Sequence, residues 1–486
     1  MRFSTLGPLI LLALAASPAV AAPNVVILLA DDLGWNAVGF HNDADPDRDG
    51  FSTPHLDRLC REGVELDRFY VAPMCSPTRA GLMTGRWPIR FGCARAVIPP
   101  WRDFGLPPEE TTLGETLAER GYARRGVFGK WHLDHLRGRW HPLAQGFTQF
   151  RGHYNGAIDY FALTREGERD WHRDAETSPE TGYATHLIAD AAAAFIREAA
   201  AQDAPYLCYV PFNAPHAPFQ APNESVRRFG VEPEGRTPKG RKRTKRETRD
   251  TYRAMVWEMD RGIGQILDAI EATGESDDTL VWFLSDNGGV GSLRDLNAPL
   301  RGHKLTAYEG GVRVPACVRW PRRIAAGGMC DQRCGYVDIL PTLVDAAGGA
   351  ATELAPADPL DGVSLLPMLT AGKRLPARPW FTYHGQQGEA EEHLAIASGE
   401  WKLVVFGPRL RSADDLFDSG RRVELFGIAD DPHETTDVAA EHPSVVADLA
   451  RRLVEHRNLQ PADAVPPYAK GRRGFEPPPQ WRLQPE

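Results

Sequence analysis

The sequence predicts an α/β protein with a large, mostly parallel sheet covered by helices on both faces. A smaller antiparallel sheet subdomain carrying one helix follows it. Three observations predict this. Short apolar runs stop abruptly at polar residues, as strands buried on both faces of a parallel sheet do. Helix-like segments alternate with those runs, the order that crossover connections impose. After about Ala371 the pattern changes to consecutive short strands at hairpin spacing.

The parallel strands read as Val25–Ala30 running into Asp31-Asp32, Gly126–Phe128 into Gly129-Lys130-Trp131-His132, Tyr206–Phe212 into Asn213-Ala214-Pro215-His216, and Leu280–Leu284 into Ser285-Asp286-Asn287. Ligands of open α/β sheets sit beyond the carboxyl ends of the strands, so four strand ends aim polar groups at one place. Between them, Thr112-Leu113-Gly114-Glu115 has the form of a capping box and opens a helix toward Arg120, with Gly121 as its stop. Thr181–Ala200 and Thr251–Ala272 carry apolar residues at helical spacing. The later strands read as Trp380–Tyr383, Leu394–Ala397, Trp401–Phe406 and Val423–Phe426, with a helix near Val445–His456 and an irregular, Pro-rich tail from Ala464. Main domain and subdomain are expected at 22–371 and 372–486.

The 486 residues are 42% hydrophobic and 25% charged, which excludes a disordered, collagen-like or disulfide-scaffold chain. A net charge of −9, from 56 Lys+Arg against 65 Asp+Glu, argues against nucleic acid as a partner, since such binders need a basic face. One basic run, Arg236 to Arg249, reads as a solvated loop before the Thr251 helix or as a contact for a polyanionic substrate. Residues 1–21 have a positive start at Arg2, an apolar stretch from Leu6 to Ala16 and the small-x-small pattern Ala19-Val20-Ala21, so they read as a cleaved leader. That stretch is too short for a bilayer, which takes ~20 residues, and no cysteine follows the cut to carry a lipid. The expectation is an exported chain, periplasmic or extracellular, without a stable membrane anchor. Seven cysteines leave one without a disulfide partner and hint that one has another task. Cys330 and Cys334 read as a local disulfide or as two free thiols.

Cys75-Ser76-Pro77-Thr78-Arg79, followed by Ala80-Gly81-Leu82-Met83-Thr84-Gly85-Arg86, is the most informative stretch. Pro77 suits the first turn of a helix, which puts Cys75 at a helix N-terminus where N–H groups and the dipole favour an anion. Arg79, one turn on, adds a fixed positive charge. Taken alone, the pattern fits either an activated thiolate or a structural cysteine. Taken alone, Asp31-Asp32 reads as a helix N-cap pair and Asp286-Asn287 as a turn beside Gly288-Gly289; because both pairs follow buried strands, they also read as one oxygen-only ligand set, suited to Ca²⁺ or Mg²⁺ and poorly suited to zinc. Flexible carboxylate geometry tilts the choice to Ca²⁺.

The Cys-x-Pro-x-Arg run with its Thr-Gly-Arg sequel resembles the signature of type I sulfatases, of the alkaline phosphatase superfamily. The resemblance runs from about Pro23 to Phe426 with further motifs in order: Asp31-Asp32-Leu33-Gly34, Gly129-Lys130-Trp131-His132, Asn213-Ala214-Pro215-His216, Ser285-Asp286-Asn287-Gly288, and Arg301-Gly302-His303-Lys304 before Tyr308-Glu309-Gly310-Gly311. It implies an alkaline-phosphatase-like fold and a maturation enzyme that oxidises Cys75 to Cα-formylglycine. The hydrated aldehyde, with Asp31, Asp32, Asp286 and Asn287, would hold the metal. One hydroxyl of the hydrate would attack sulfur, with Arg79 holding it and Lys130, Lys304 and the metal binding the sulfate oxygens. His216, helped by Lys304, would protonate the leaving oxygen; His132 would take the proton of the second hydroxyl, so that sulfate departs and the aldehyde returns. His303 joins Lys130, His216 and Lys304 as an expected substrate contact.

Two positions depart from the family pattern. His303 stands where a small residue often precedes the lysine, and Asp134 where glycine often follows Trp-His-Leu; each reads as shaping substrate preference or as local variation. The substrate expected from export is a sulfated carbohydrate, with small aryl sulfates as artificial substrates, and the segment His153–Arg173, rich in Tyr, Trp and Asp, is expected to line a sugar pocket. Alternatives are a phosphate or phosphonate ester hydrolase on the same scaffold, and a non-catalytic binder of sulfated glycans.

Overall fold

The computed structural model describes residues 22–42, 50–233, 242–350, 359–417 and 420–485. The expected leader, 1–21, and Arg236, Lys239 and Arg241 of the basic run lie outside them. Five parallel strands form the middle of a ten-stranded sheet, in the spatial order Thr279–Ser285, Asn24–Ala30, Tyr206–Pro211, Arg124–Lys130, Gln149–His153. Short strands, mostly antiparallel, extend both edges. The continuous apolar runs have a simple cause. Side chains alternate across the sheet: Val25, Ile27 and Leu29 enter one core while Val26, Leu28 and Ala30 enter the other, so neither face tolerates a polar residue.

One face is covered by helices Ala184–Ala199 and Lys245–Ala272, whose Ile188, Ala192, Met255 and Ile263 complete the core beside Val26 and Leu28. The second helix starts earlier than the Thr251 expected. Thr244 and Glu247 form a capping box, and the first turn is exposed, so Lys245, Arg246 and Arg249 are helical rather than part of a loop. Apolar periodicity could not mark turns that face water. The other face carries Cys75–Thr84, Leu113–Ala118 and Ile339–Ala346. The expected Thr112/Glu115 capping box is present.

Strands Trp380–His384, Glu392–Ser398, Trp401–Gly407 and Arg422–Gly427 form the antiparallel sheet, and helix Pro443–Arg457 packs on it. This sheet braces the segment that carries Lys304. Buried Lys402 pairs with Glu309 at 2.7 Å and Glu434 at 2.8 Å, Arg301 reaches Glu424 at 3.2 Å, and His393 Nδ1 donates to the Leu305 carbonyl at 3.0 Å. All seven cysteines are free thiols, so Cys330 and Cys334 resolve to the second of their two readings. The tail is largely irregular, yet Trp481 within it is fully buried. Among the described residues no helix is long and apolar enough to cross a membrane.

Candidate active site

Four neighbouring parallel strands deliver Asp31 and Asp32, Asp286 and Asn287, Lys130 and His132, and the loop to His216 at their carboxyl ends. Backbone geometry at two of these positions is unusual: Asp32 has φ 63° and His132 φ 55°. A left-handed conformation in a non-glycine residue costs about 1–3 kcal/mol and persists where the surroundings impose it, commonly at functional sites. The strand carrying Lys130 also needs Gly129, at φ 131°, because a Cβ there would lie 2.0 Å from the Pro211 carbonyl oxygen.

Cys75 opens the helix Cys75–Thr84, which ends at left-handed Gly85, φ 66°. Its Sγ lies 3.5 Å from Asp31 Oδ1, 4.0 Å from Asp32 Oδ1 and 3.4 Å from Lys304 Nζ. Lys130 Nζ donates to Asp31 Oδ2 at 2.5 Å and Lys304 Nζ to Asp32 Oδ1 at 2.6 Å. His216 Nε2 is 3.6 Å from Asp32 Oδ2. Arg79 gives Nε and Nη2 to Asp286 Oδ2, at 3.1 and 2.8 Å, and Nη1 to the Lys130 carbonyl at 2.8 Å. These bonds direct its guanidinium to Asp286 and the Lys130 backbone.

Electrostatics separate the two neighbouring carboxyls. Burial and Asp286 push Asp31 up to about 7 against the pull of Lys130. Burial raises Asp32 as well, but Lys304, His216 and Lys130 outweigh it and hold that carboxyl well below its ordinary range. The Cys75 thiol is pushed up by burial and by Asp286, despite Lys130 and Lys304. That direction speaks against the activated-thiolate reading. Three buried carboxylates converge here against Lys130, Lys304 and Arg79, and their oxygens are the donor type that a hard divalent cation takes. One further atom fits such an ion: Asn287 Nδ2 donates to Asp32 Oδ1 at 2.7 Å, while its buried Oδ1 has no hydrogen-bond partner. Asp31, Asp32, Cys75 and His216 have ligand atoms within 4.8 Å of one another. With Asp286 and the Asn287 Oδ1 included, oxygen donors outnumber the sulfur of Cys75 and the nitrogen of His216, which favours Ca²⁺ or Mg²⁺.

A cavity of about 260 Å³ opens above Cys75, lined also by His132, His216 and Lys304. The rest of its wall was not anticipated as single residues: Val97–Pro100, Leu305, Gln386 of the C-terminal subdomain and Tyr468 of the tail. The 153–173 segment does contribute, but through Gly156, Ala157 and Arg165. Its Tyr160, Asp170 and Trp171 are buried instead, Asp170 accepting from the Tyr154 and Asn155 backbone at 2.9 and 3.0 Å. His303 is not brought to the cavity. Its Nδ1 donates to the Lys304 carbonyl at 2.8 Å, and its ring packs where a Cβ on Gly291 would lie 2.7 Å away. Asp134 likewise caps a turn, accepting from Leu136 N at 2.8 Å. Both departures from the family pattern make local backbone hydrogen bonds.

A sulfatase family model matches residues 23–350, and a model described as N-sulphoglucosamine sulphohydrolase, C-terminal, matches 303–459. The N-acetylgalactosamine-6-sulfatase of Mus musculus is 34% identical over 82% of this chain and 76% of its own. Arylsulfatase A of Homo sapiens is 31% identical over 93% of this chain and 86% of its own. The crystal structure of Ps i-CgsB in complex with k-i-k-neocarrahexaose aligns with TM-score 0.77 at 27% identity, covering 90% of this chain and 94% of that one. The phosphonate monoester hydrolase of Agrobacterium radiobacter aligns with TM-score 0.62 at 22% identity, covering 91% of this chain and 97% of that one, a likeness of fold alone. Sheet, strand-end site and relatives together define a sulfuric ester hydrolase of alkaline-phosphatase type. Within that class, the chain belongs to the sulfatase family.

Proposed function

We propose that this sulfatase hydrolyses sulfate esters of carbohydrates, after conversion of Cys75 to Cα-formylglycine by a maturation enzyme and with a calcium ion held by Asp31, Asp32, Asp286, Asn287 and residue 75. The carrying observation is the meeting of those oxygen donors and two lysines with the helix-borne Cys75, directly beneath a cavity that Cys75 and Lys304 line. Relatives named for N-acetylgalactosamine 6-sulfate and a neighbour crystallised with neocarrahexaose support a sugar substrate. The apolar leader supports export to the periplasm or beyond.

When bound, the ion would supply charge that polarises a sulfate oxygen and acidifies a hydroxyl at position 75. Lys130 and Lys304 bind non-bridging sulfate oxygens, exchanging part of their carboxylate contacts for the substrate. Arg79 keeps Asp286 and the Lys130 backbone in place. His216 Nδ1 faces the Ala217 carbonyl and so carries hydrogen, which leaves Nε2 toward Asp32 and the cavity. Protonated there, His216 serves the leaving oxygen. Burial pushes its pKa down while Asp32 pulls it up, and an arriving sulfate adds to the upward pull. His132 Nε2 donates to the Ile98 carbonyl at 3.1 Å, so Nδ1, buried and without a hydrogen-bond partner, holds the lone pair. Burial, then Lys130 and Arg79, keep that ring neutral. It is the base that receives the proton from position 75.

The test is a comparison of matched aryl sulfate and aryl phosphate, then of defined sulfated sugars, using protein produced with the maturation enzyme. Faster sulfate turnover and release of sulfate from a sugar support the reading. Preference for phosphate, or tight glycan binding without turnover, overturns it.

A further inference from the structure

The catalytic cavity holds a second cation that the reaction does not use. Among its described lining residues no side chain is a carboxylate, and besides the histidines the charged ones are Lys304 and Arg165. The site carboxylates Asp31, Asp32 and Asp286 lie beneath that lining, each already engaged by Lys130, Lys304 or Arg79. Lys304 is already committed to Asp32. Among the described residues Arg165 has one ion pair, to the adjacent Glu166 at 3.3 Å, where Glu166 is 43% exposed. Such a pair is worth at most about 1 kcal/mol and yields readily to a better anion. Arg165 Nε is buried and has no hydrogen-bond partner. The side chain as a whole is 26% exposed, so its guanidinium is open to exchange water or Glu166 for an arriving anion.

The residue is also held in place. It sits in the hairpin Thr164–Arg165/Glu168–Arg169, which turns through Glu166, φ 50°, and Gly167, φ 86°. The C-terminal tail grips this hairpin: buried Trp481 donates Nε1 to the Arg165 carbonyl at 2.9 Å, and Gln480 N donates to Glu168 at 2.7 Å. The backbone that presents the guanidinium is therefore fixed before substrate arrives, which lowers the ordering cost of binding.

We infer that Arg165 is a second anion-binding group of the cavity, and that the natural substrate carries, besides the scissile sulfate, another anionic oxygen group: a ring carboxylate or a second sulfate. A planar guanidinium suits both, through paired N–H···O bonds. This rests on the sulfatase reading and names the substrate class within it.

The experiment compares wild type, Arg165→Gln and Arg165→Lys on an aryl sulfate, a neutral monosulfated sugar, a disulfated sugar and a sulfated uronate-containing disaccharide. For Arg165→Gln the account expects KM to rise about 10- to 100-fold on one of the two doubly anionic sugars, the size of a lost charge-assisted hydrogen bond. The aryl sulfate and the neutral sugar stay unchanged, and Arg165→Lys recovers part of the loss. A loss confined to the disulfated sugar assigns a sulfate, and one confined to the uronate assigns a carboxylate. Equal loss on all four substrates, or none, overturns the inference. Calorimetric binding of the doubly anionic sugars to wild type and Arg165→Gln gives a second readout. If wild type fails to turn over aryl sulfate, the sulfatase reading falls, while weaker binding by Arg165→Gln still decides the role of Arg165.

Discussion

The floor of the cavity and its rim are built differently. The floor consists of groups at the ends of adjacent parallel strands and the start of one helix: Asp31, Asp32, Asp286, Lys130 and Cys75 are buried and locked to one another by ion pairs and by Arg79. The rim is assembled from a loop at Val97–Pro100, a hairpin at Thr164–Arg169, Gln386 and a tail that returns to contribute Tyr468. A floor of this kind fixes a reaction, because moving any member leaves a buried charge unpaired. A rim of loops changes its side chains without disturbing the sheet, so it selects the substrate.

The sharpest break between the two is at position 75. Cys75→Ser should cut multiple turnover by roughly 10⁴-fold or more, while the protein gains one sulfo group, visible by intact mass, because serine lacks the second hydroxyl that lets sulfate leave. Parental turnover in this variant contradicts the assignment. Removing the ion by chelation should cost on the order of 10²–10³-fold, the scale of several kcal/mol of lost charge stabilisation. Added Ca²⁺ restores the rate better than Zn²⁺; restoration by zinc alone argues against the oxygen-donor site. The C-terminal subdomain's brace comes next: Lys402→Met leaves Glu309 and Glu434 facing each other in the core, and denaturant unfolding should show a loss of about 3–5 kcal/mol. An unchanged midpoint shows that the brace does not couple the Lys304 segment to that sheet.

The smallest effect separates acid loss of the fold from acid loss of the site. His456, stacked on Phe381 at 3.9 Å and far in sequence from every strand end, is pushed by burial from 6.5 to about 3. Between those values the unfolded chain binds a proton that the folded ring refuses, so stability falls as pH falls below about 6.5. The slope is about 1.4 kcal/mol per pH unit. His456→Phe should flatten the decline of the melting temperature from pH 6.5 to 5 by about that share, and leave the pH profile of turnover unshifted. An unaltered melting profile contradicts the neutral buried ring.

The same contrast governs what the sequence made legible. Strand ends could be read because burial on both faces forces an unbroken apolar run, and a polar pair after it has no role in the core. Helix starts at water, such as Lys245, gave no periodicity to read. Gln386 and Tyr468 reach the cavity only through long-range folding, so nothing local marks them. Tyr160 and Trp171 looked like sugar-binding residues from their type and are core residues by packing. His303 sat beside a motif lysine, yet its ring turned back onto the Lys304 carbonyl.

Everything at the floor depends on what occupies position 75 when the enzyme works. Peptide mass spectrometry of a fully active preparation addresses this directly. The account predicts a residue that has exchanged sulfur for an aldehyde or its hydrate, in proportion to specific activity across preparations. Full activity with the Cys75 thiol intact would contradict it.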